Sequence, residues 1–86
     1  MDCQSSFYSF AGMIDEQAAL RALGVQLRTM RKARGLTQEG LAALCDFNST
    51  YVSQLERGLR NPPYLTLCLL AEQLGATVRD LLPAAE

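Results

Sequence analysis

The residues best suited to a chemical task lie between Ser49 and Arg57. Val52 and Leu55 are three positions apart and predict the buried side of a short helix, which leaves hydroxyl, amide and guanidinium groups on the other side. This polar face can donate and accept hydrogen bonds and contains no acid, which suits the reading of base edges in the DNA major groove. Its side chains are those of Ser49, Thr50, Ser53, Gln54 and Arg57.

Other chemistries lack the residues that they need. The chain has no histidine, and its three cysteines, Cys3, Cys45 and Cys68, form no CxxC pair. We therefore expect no metal, no cofactor and no enzymatic activity. No run of 18 apolar residues and no basic region ahead of an apolar one is present, so neither a membrane span nor a secretory signal is predicted. Reduced cysteines, two of them in the core, indicate a cytoplasmic protein.

Charge is unevenly distributed along the 86 residues, although the net charge is only −1. Between Arg28 and Arg60 there are six basic and three acidic residues, a local net charge of +3. A molecule that is polarised in this way can present a positive face to phosphates whatever its total charge. The distribution is therefore compatible with a nucleic-acid partner, although non-specific binding should be weaker than that of a strongly basic domain.

A helix ahead of the polar face would position it. Thr37 is a good N-cap for a helix over 38–45, and Asp46 stands where that helix must stop. Aspartate tolerates the left-handed conformation of such a position better than most residues do. Phe47 is expected to enter the core, and Asn48 to cap the helix that carries the polar face. The predicted inward side of the preceding helix consists of Leu41, Ala42, Leu44 and Cys45.

These residues resemble the lambda-repressor-like (Cro/cI, or Xre) family of DNA-binding proteins. The matching marks are RKARGLTQ, the LA pair of the second helix, Tyr51-Val52-Ser53, and LERG followed by RNP. The resemblance covers roughly Leu23 to Leu82 and implies an all-α, five-helix domain of a small stand-alone transcriptional regulator, such as a restriction–modification controller protein. Two positions depart from the family: Asp46 replaces the usual Gly of the turn, and Gly40 replaces a frequent Glu.

The resemblance also implies roles for individual residues. The positions that match base-reading ones are Ser49, Thr50 and Gln54. The positions that match contacts to the sugar–phosphate backbone are Gln38, Ser53, Arg57, Arg60 and Asn61, with Arg28, Lys32 and Arg34 as weaker candidates. Arg31 and Glu56 match a structural ion pair between the first and third helices, and Tyr51 matches a packing residue beside the turn.

Three further helices are predicted around this unit. Asp15 caps a first helix that runs to about Ala33. A fourth helix extends from about Tyr64 to Leu74, and Thr77 with Asp80 resembles the capping pair of a short fifth helix. The predicted domain spans 15–86, its helix-turn-helix spans 37–58, and residues 1–14 form an N-terminal extension.

The last two helices carry more apolar surface than five helices can bury. Leu65 and Leu69 fall outside the inner side of the fourth helix, and Val78 and Leu82 add to the surplus. We therefore expect a homodimer joined through these two helices, which would place two recognition helices on a palindromic operator. The apolar segment from Phe7 to Ile14 would pack over the same seam or cover the leucines within its own subunit.

The alternative function is a protein-interaction module or an antitoxin-type partner with the same fold. Such a module should carry acidic or bulky apolar residues at Ser49, Thr50 and Gln54, and the chain does not. No residues of an effector pocket are identifiable. Double-stranded DNA is therefore the partner that we expect.

Overall fold

Five α-helices build residues 15–83, the part of the chain that the computed structural model describes. They are α1 (Glu16–Ala33), α2 (Gln38–Cys45), α3 (Ser49–Glu56), α4 (Tyr64–Gln73) and α5 (Val78–Leu81). Residues 15–83 contain no strand. The predicted all-α architecture with five helices is therefore confirmed.

Side-chain caps begin four of the helices. Asp15, Thr37 and Asn48 each accept a backbone N–H from the first turn of α1, α2 and α3. Thr77 and Asp80 form a reciprocal capping box at α5. Because the Asp80 carboxylate accepts the backbone N–H of Thr77, its pKa lies below the ordinary value for aspartate. These caps satisfy N–H groups that a helix start leaves without partners.

Each of the first four helices ends in a turn with one left-handed residue. After α1, α3 and α4 the left-handed residue is Gly35, Gly58 and Gly75, respectively, and after α2 it is Asp46. The N–H that follows it bonds to the carbonyl five positions back, as in the turn where Phe47 donates to Ala42 at 2.8 Å. Asp46 has φ +59° and ψ +40° and thus adopts the predicted left-handed conformation without a glycine.

All five helices contribute residues to one core. α3 packs against α1 and α2, α4 packs against α2 and α5, and α5 returns to α1. Four of these helices each contribute one fully buried residue, namely Leu41, Val52, Leu70 and Leu81. The other buried apolar residues are Leu27, Ala42, Cys45, Leu55, Ala71 and Leu74. Burial raises the pKa of the Cys45 thiol, which therefore stays a protonated core group.

The structure corrects details of the prediction. Leu44 is exposed rather than inward-facing, because at 100° per residue it lies about 100° from the centre of the buried stripe of α2. α3 and α4 end one residue earlier than predicted, and Arg57 and Leu74 are their C-cap residues. Val78 is half-buried and packs against the core, so it belongs partly to the interior.

Two long-range hydrogen bonds join α1 and its C-cap residue to the last two helices. The Gln26 side chain donates to the carbonyl oxygen of Asp80 at 2.9 Å. The guanidinium of Arg34 donates to the carbonyl oxygen of Leu74 at 2.6 Å. No helix within residues 15–83 is both long and apolar enough to cross a membrane. The predictions for the segment from Phe7 to Ile14 lie outside the described residues.

Candidate nucleic-acid interface

α3 carries the polar face on an apolar support. Val52 and Leu55 are buried against the core, while Thr50 on the other side is exposed to solvent. The Asn48 carboxamide accepts the backbone N–H of Thr50 at 2.7 Å and so orders the first turn of the helix. The remaining polar residues of this face, Ser49, Ser53 and Gln54, are half-buried. Hydroxyl and amide groups therefore stand on a helix whose opposite side is fixed.

The turn between α2 and α3 sets the direction of α3. Asp46 reverses the chain, and Phe47 enters the edge of the core directly after it. The Phe47 ring meets the Tyr51 ring edge to face, with centroids 5.4 Å apart and planes at 88°. This geometry is a favourable one for two aromatic rings. The contact ties the first turn of α3 to the turn that precedes it.

Arg31 and Glu56 form a buried ion pair between α1 and the last turn of α3. Arg31 Nε lies 2.6 Å from Glu56 Oε2, and Nη2 lies 3.0 Å from Oε1. The third nitrogen, Nη1, donates to the carbonyl oxygen of Leu36 at 2.7 Å. Hydrogen bonding to Glu56 raises the pKa of Arg31 above its ordinary value, so Arg31 keeps its charge despite burial. Every nitrogen of this guanidinium therefore has a partner.

Gln38 reaches the same carboxylate from α2. Its Nε2 donates to Glu56 Oε1 at 3.0 Å, and the side chain is half-buried. We refer to Arg31, Glu56 and Gln38 as the buried network. The network connects α1, α2 and α3 through one carboxylate. The side-chain N–H group of Gln38, a residue predicted to bond phosphate, is thus directed at Glu56.

Gly24, which the motifs in the sequence did not mark as a site residue, permits the close approach of α1 to α3. A Cβ placed on Gly24 would overlap the backbone carbonyl oxygen of Glu56. The helices therefore contact each other backbone to backbone at the point where the buried network lies. A glycine inside a strongly helical pattern is the signal that could have identified this contact.

A second arginine holds another side chain of α3, this time at the surface. Arg60 Nη1 donates to Gln54 Oε1 at 3.0 Å. The Arg60 guanidinium carbon lies 5.0 Å from the centroid of the Tyr51 ring, within the range of a cation–π contact. We refer to Tyr51, Arg60 and Gln54 as the exposed array. It joins a predicted base-reading residue to a predicted backbone-contacting one, and nothing in their spacing indicated that they touch.

The remaining predicted site residues lie around the end of α3 and along α1. Arg57 and Asn61 are exposed on either side of the turn that follows α3. Arg28 and Lys32 are exposed on α1. Arg34, by contrast, donates to the carbonyl oxygen of Leu74 and so satisfies the C-terminal end of α4. Within residues 15–83 no three His, Cys, Asp or Glu side chains come together as a metal site requires.

The residues predicted for the dimer interface differ in exposure. Leu65 is 73% exposed, Leu82 49% and Leu69 43%, whereas Val78 packs against the core. Leu65 and Leu69 are four residues apart and therefore neighbours on α4, and a contiguous apolar patch of this kind typically marks a contact surface. α4 thus presents apolar side chains outward as well as inward.

Comparison with known proteins gives consistent matches. Residues 22–85 match the family model described as a helix-turn-helix domain. An uncharacterised HTH-type transcriptional regulator of Sinorhizobium fredii is 41% identical over 61 residues, which cover 71% of this chain and 79% of that protein. The crystal structure of the restriction–modification controller protein C.AhdI from Aeromonas hydrophila is 40% identical, with a TM-score of 0.74. The match covers 76% of this chain and 98% of that one.

The same fold also occurs in part of an enzyme. The structure of hydroxypropylphosphonic acid epoxidase from S. wedmorenis matches with a TM-score of 0.76 at 22% identity, over 81% of this chain and 37% of that one. At this identity the likeness concerns the fold alone.

Proposed function

The chain belongs to the helix-turn-helix domain family, and from this premise we propose that it is a sequence-specific DNA-binding transcriptional regulator. The observation that carries the proposal is the open polar face of α3, which is held in place from behind by the buried network. This face offers hydroxyl and amide groups at the surface and no carboxylate. An α-helix fits the major groove, where each base pair presents its own pattern of donors and acceptors.

Within this proposal Ser49, Thr50 and Gln54 read base edges. They occupy the first two turns of α3, the part of a recognition helix that contacts bases in this docking geometry. An amide such as that of Gln54 can bond adenine N6 and N7 together, and the methyl group of Thr50 can contact the methyl group of thymine. The Asn48 side chain accepts the backbone N–H of Thr50 and so fixes the first turn of α3 before DNA binds.

The flanking residues position the protein on the sugar–phosphate backbone. Gln38 stands at the N-terminus of α2, and Ser53, Arg57 and Asn61 lie on or beyond α3. A helix N-terminus and arginine side chains both favour a phosphate group. Such contacts set register and orientation, while the bases supply the selectivity.

We propose that two copies bind a palindromic operator as a homodimer. Leu65, Leu69 and Leu82 are exposed apolar side chains on α4 and beyond α5, and contact with a second copy would bury them. One recognition helix touches too few base pairs to be selective, and a two-fold dimer doubles the number. The two helices should then enter successive major grooves about 34 Å apart.

Selection of DNA from a random pool tests the DNA-binding proposal. The parent should enrich one sequence with two related half-sites, roughly one helical turn apart. A variant with Ser49→Ala, Thr50→Ala and Gln54→Ala should enrich none, while Gln17→Ala, an exposed amide on α1, should behave as the parent does. A parent that enriches no sequence would contradict the proposal.

Sedimentation at micromolar concentration tests the dimer. The parent should sediment as a dimer, and Leu65→Glu with Leu69→Glu should sediment as a monomer, because two carboxylates at an apolar contact lose hydration. Val25→Glu on α1 is the matched control, since Val25 is also exposed and lies outside the proposed interface. A parent that stays monomeric both free and on DNA would overturn the dimer.

Enzymatic activity forms no part of the proposal. The relative is named as a transcriptional regulator and the solved structure as a controller protein, which supports a function other than catalysis for this chain. We also propose that the protein acts in the cytoplasm, as a DNA-binding regulator of this family would. The alternative is a protein-interaction module or an antitoxin-type partner. It would be favoured if a different protein, and not a second copy of this chain, bound the exposed leucines.

A further inference from the structure

We propose that Arg60 is a positioning residue for base recognition, which fixes the Gln54 amide while the Tyr51 ring holds the guanidinium. The inference rests on the proposed function, since it concerns how the reading face of α3 acts. It assigns Arg60 a role through Gln54 rather than as an independent contact to phosphate. Three features of the exposed array carry the argument.

The backbone turn after α3 brings Arg60 back over the helix. Gly58 has φ +76°, and the N–H of Leu59 donates to the carbonyl oxygen of Gln54 at 2.9 Å. This turn closes on the residue whose side chain Arg60 then contacts. A side chain on Gly58 would also meet the backbone of Arg21 on α1. The return of the chain is therefore determined by tight backbone packing and does not depend on the Arg60 side chain.

The aromatic rings hold the guanidinium in place. The Arg60 guanidinium lies 5.0 Å from the centroid of Tyr51, and the Tyr51 ring is itself held edge to face by Phe47. Both rings are half-buried, and both pack against the core cluster. Stacking of a planar guanidinium on an aromatic face restricts a side chain that otherwise has many rotamers. Arg60 is thus ordered before any DNA is present.

The chemistry of the pair determines which way the Gln54 amide faces. A guanidinium has donors only, so the atom that faces Arg60 Nη1 must be Gln54 Oε1. The Gln54 Nε2 group then points away from Arg60 and stays available to donate. The positive charge on the donor also strengthens the hydrogen bond and polarises the amide. The cost of ordering a glutamine is therefore met largely within the free protein.

The two possible roles of Arg60, positioning Gln54 and binding phosphate, predict different changes in base discrimination and in overall DNA affinity. If Arg60 acts through Gln54, Arg60→Met should lower discrimination at the one base pair that Gln54 reads, by roughly three- to tenfold for residues in direct contact. If Arg60 binds phosphate, the same change should weaken all sequences alike and reduce the salt dependence of binding.

Competition binding with single-base-pair variants of the selected site measures both effects. We expect Arg60→Met to reduce discrimination in the parent and to have no further effect on it in the Gln54→Ala background. Arg57→Met is the matched control, because Arg57 is exposed three residues earlier and should change affinity without changing base preference. Tyr51→Phe should retain discrimination, and Tyr51→Leu should lose part of it. A uniform loss of affinity in Arg60→Met, with base preference intact, would overturn the proposal.

Nuclear magnetic resonance of the free protein tests the array without DNA. The Gln54 side-chain amide signals should shift in Arg60→Met and stay in place in Arg57→Met, and the Arg60 side-chain signals should show the ring-current shift of Tyr51. Gln54 side-chain amide signals that do not shift in Arg60→Met would overturn the inference. A parent that selects no sequence would instead contradict the proposed function, so the two failures are distinguishable.

Discussion

The buried network and the exposed array contain the same kind of contact, an arginine bonded to a side chain of α3, in two different environments. In each, an arginine from another part of the chain holds a polar side chain of α3, Glu56 in the first and Gln54 in the second. These two side chains are two residues apart on the helix, so one points into the protein and the other outward. Burial decides what each arginine contact does: the same kind of bond supports the fold in one place and orders the exposed polar face of α3 in the other.

The free energy that is lost when either contact is broken depends on how far water can reach it. A buried charge that loses its partner has no water to replace it, so breaking such a pair from one side is costly. An exposed hydrogen bond competes with water on both sides and contributes little to folding. We therefore expect variants of the buried network to alter stability and variants of the exposed array to alter DNA selectivity.

Removal of Arg31 should have the largest effect. Arg31→Ala leaves the Glu56 carboxylate buried without its main partner, and we expect a loss of about 3–5 kcal/mol in the free energy of unfolding. Chemical denaturation measures this loss. Arg31→Met with Glu56→Leu should recover much of the stability, because a matched apolar pair leaves no buried charge. An Arg31→Ala protein as stable as the parent would mean that the pair does not hold the fold.

Gly24→Ala should have the next largest effect on the free energy of unfolding. The added methyl group overlaps the carbonyl oxygen of Glu56 and forces α1 and α3 apart, which should cost about 1–3 kcal/mol. Gly40→Ala is the matched control, since a Cβ added there would lie 3.2 Å from the side-chain hydroxyl of Thr37 and would not overlap the backbone of another helix, while helix propensity favours alanine. Thermal unfolding of both variants compares them directly. Equal losses in the two would indicate that close packing at Gly24 is not the cause.

Gln38→Ala and Gln54→Ala test the same difference between the buried network and the exposed array with one kind of side chain. Gln38→Ala removes one hydrogen bond from a half-buried side chain to a carboxylate that Arg31 still holds, so stability should fall by about 0.5–1.5 kcal/mol and binding should weaken on all sequences alike. Gln54→Ala should leave stability nearly unchanged and cost about 1–3 kcal/mol on the preferred site. Denaturation together with competition binding separates the two effects. If Gln54→Ala binds the preferred site as the parent does, Gln54 does not read a base.

Arg60→Met should have the smallest effect on folding. Its contacts to Gln54 and Tyr51 lie at the surface, so the free energy of unfolding should change by no more than about 0.5 kcal/mol. A larger loss would show that the exposed array supports the fold and that the two arginines are more alike than their surroundings indicate. The same denaturation series used for Arg31→Ala provides the measurement.

Local signals in the sequence predicted the helices and their ends. Caps such as Thr37 and Asn48 act within a few residues, so residue type and spacing identify them. Asp46 was predicted as the left-handed residue on the same basis. Leu44 was assigned wrongly because a residue at the edge of a stripe can face either way, and only the packing of neighbouring helices decides.

Side-chain partners across the chain were harder to predict. Gln38 and Arg34 have partners that lie 18 and 40 residues away, and the direction of each side chain depends on rotamers that residue type does not specify. The contact of Arg60 with Gln54 requires the turn at Gly58 to close in one particular geometry. The ion pair of Arg31 and Glu56 was expected only from family resemblance. The sequence thus indicates which residues lie on the polar face of α3 more readily than which partners hold them.

The hydrogen bond between Gln26 and Asp80 has a consequence for synthesis of the protein. It spans 54 positions, and next to Asp80 the fully buried Leu81 lines the same crevice as Leu23 and Leu27 of α1. On the ribosome the helix-turn-helix emerges before residue 81 does, so α1 lacks that part of its packing while translation continues. In that state the part of α1 that Leu81 covers stays open to solvent, and the packing of α1 is complete only once residue 81 has left the exit tunnel.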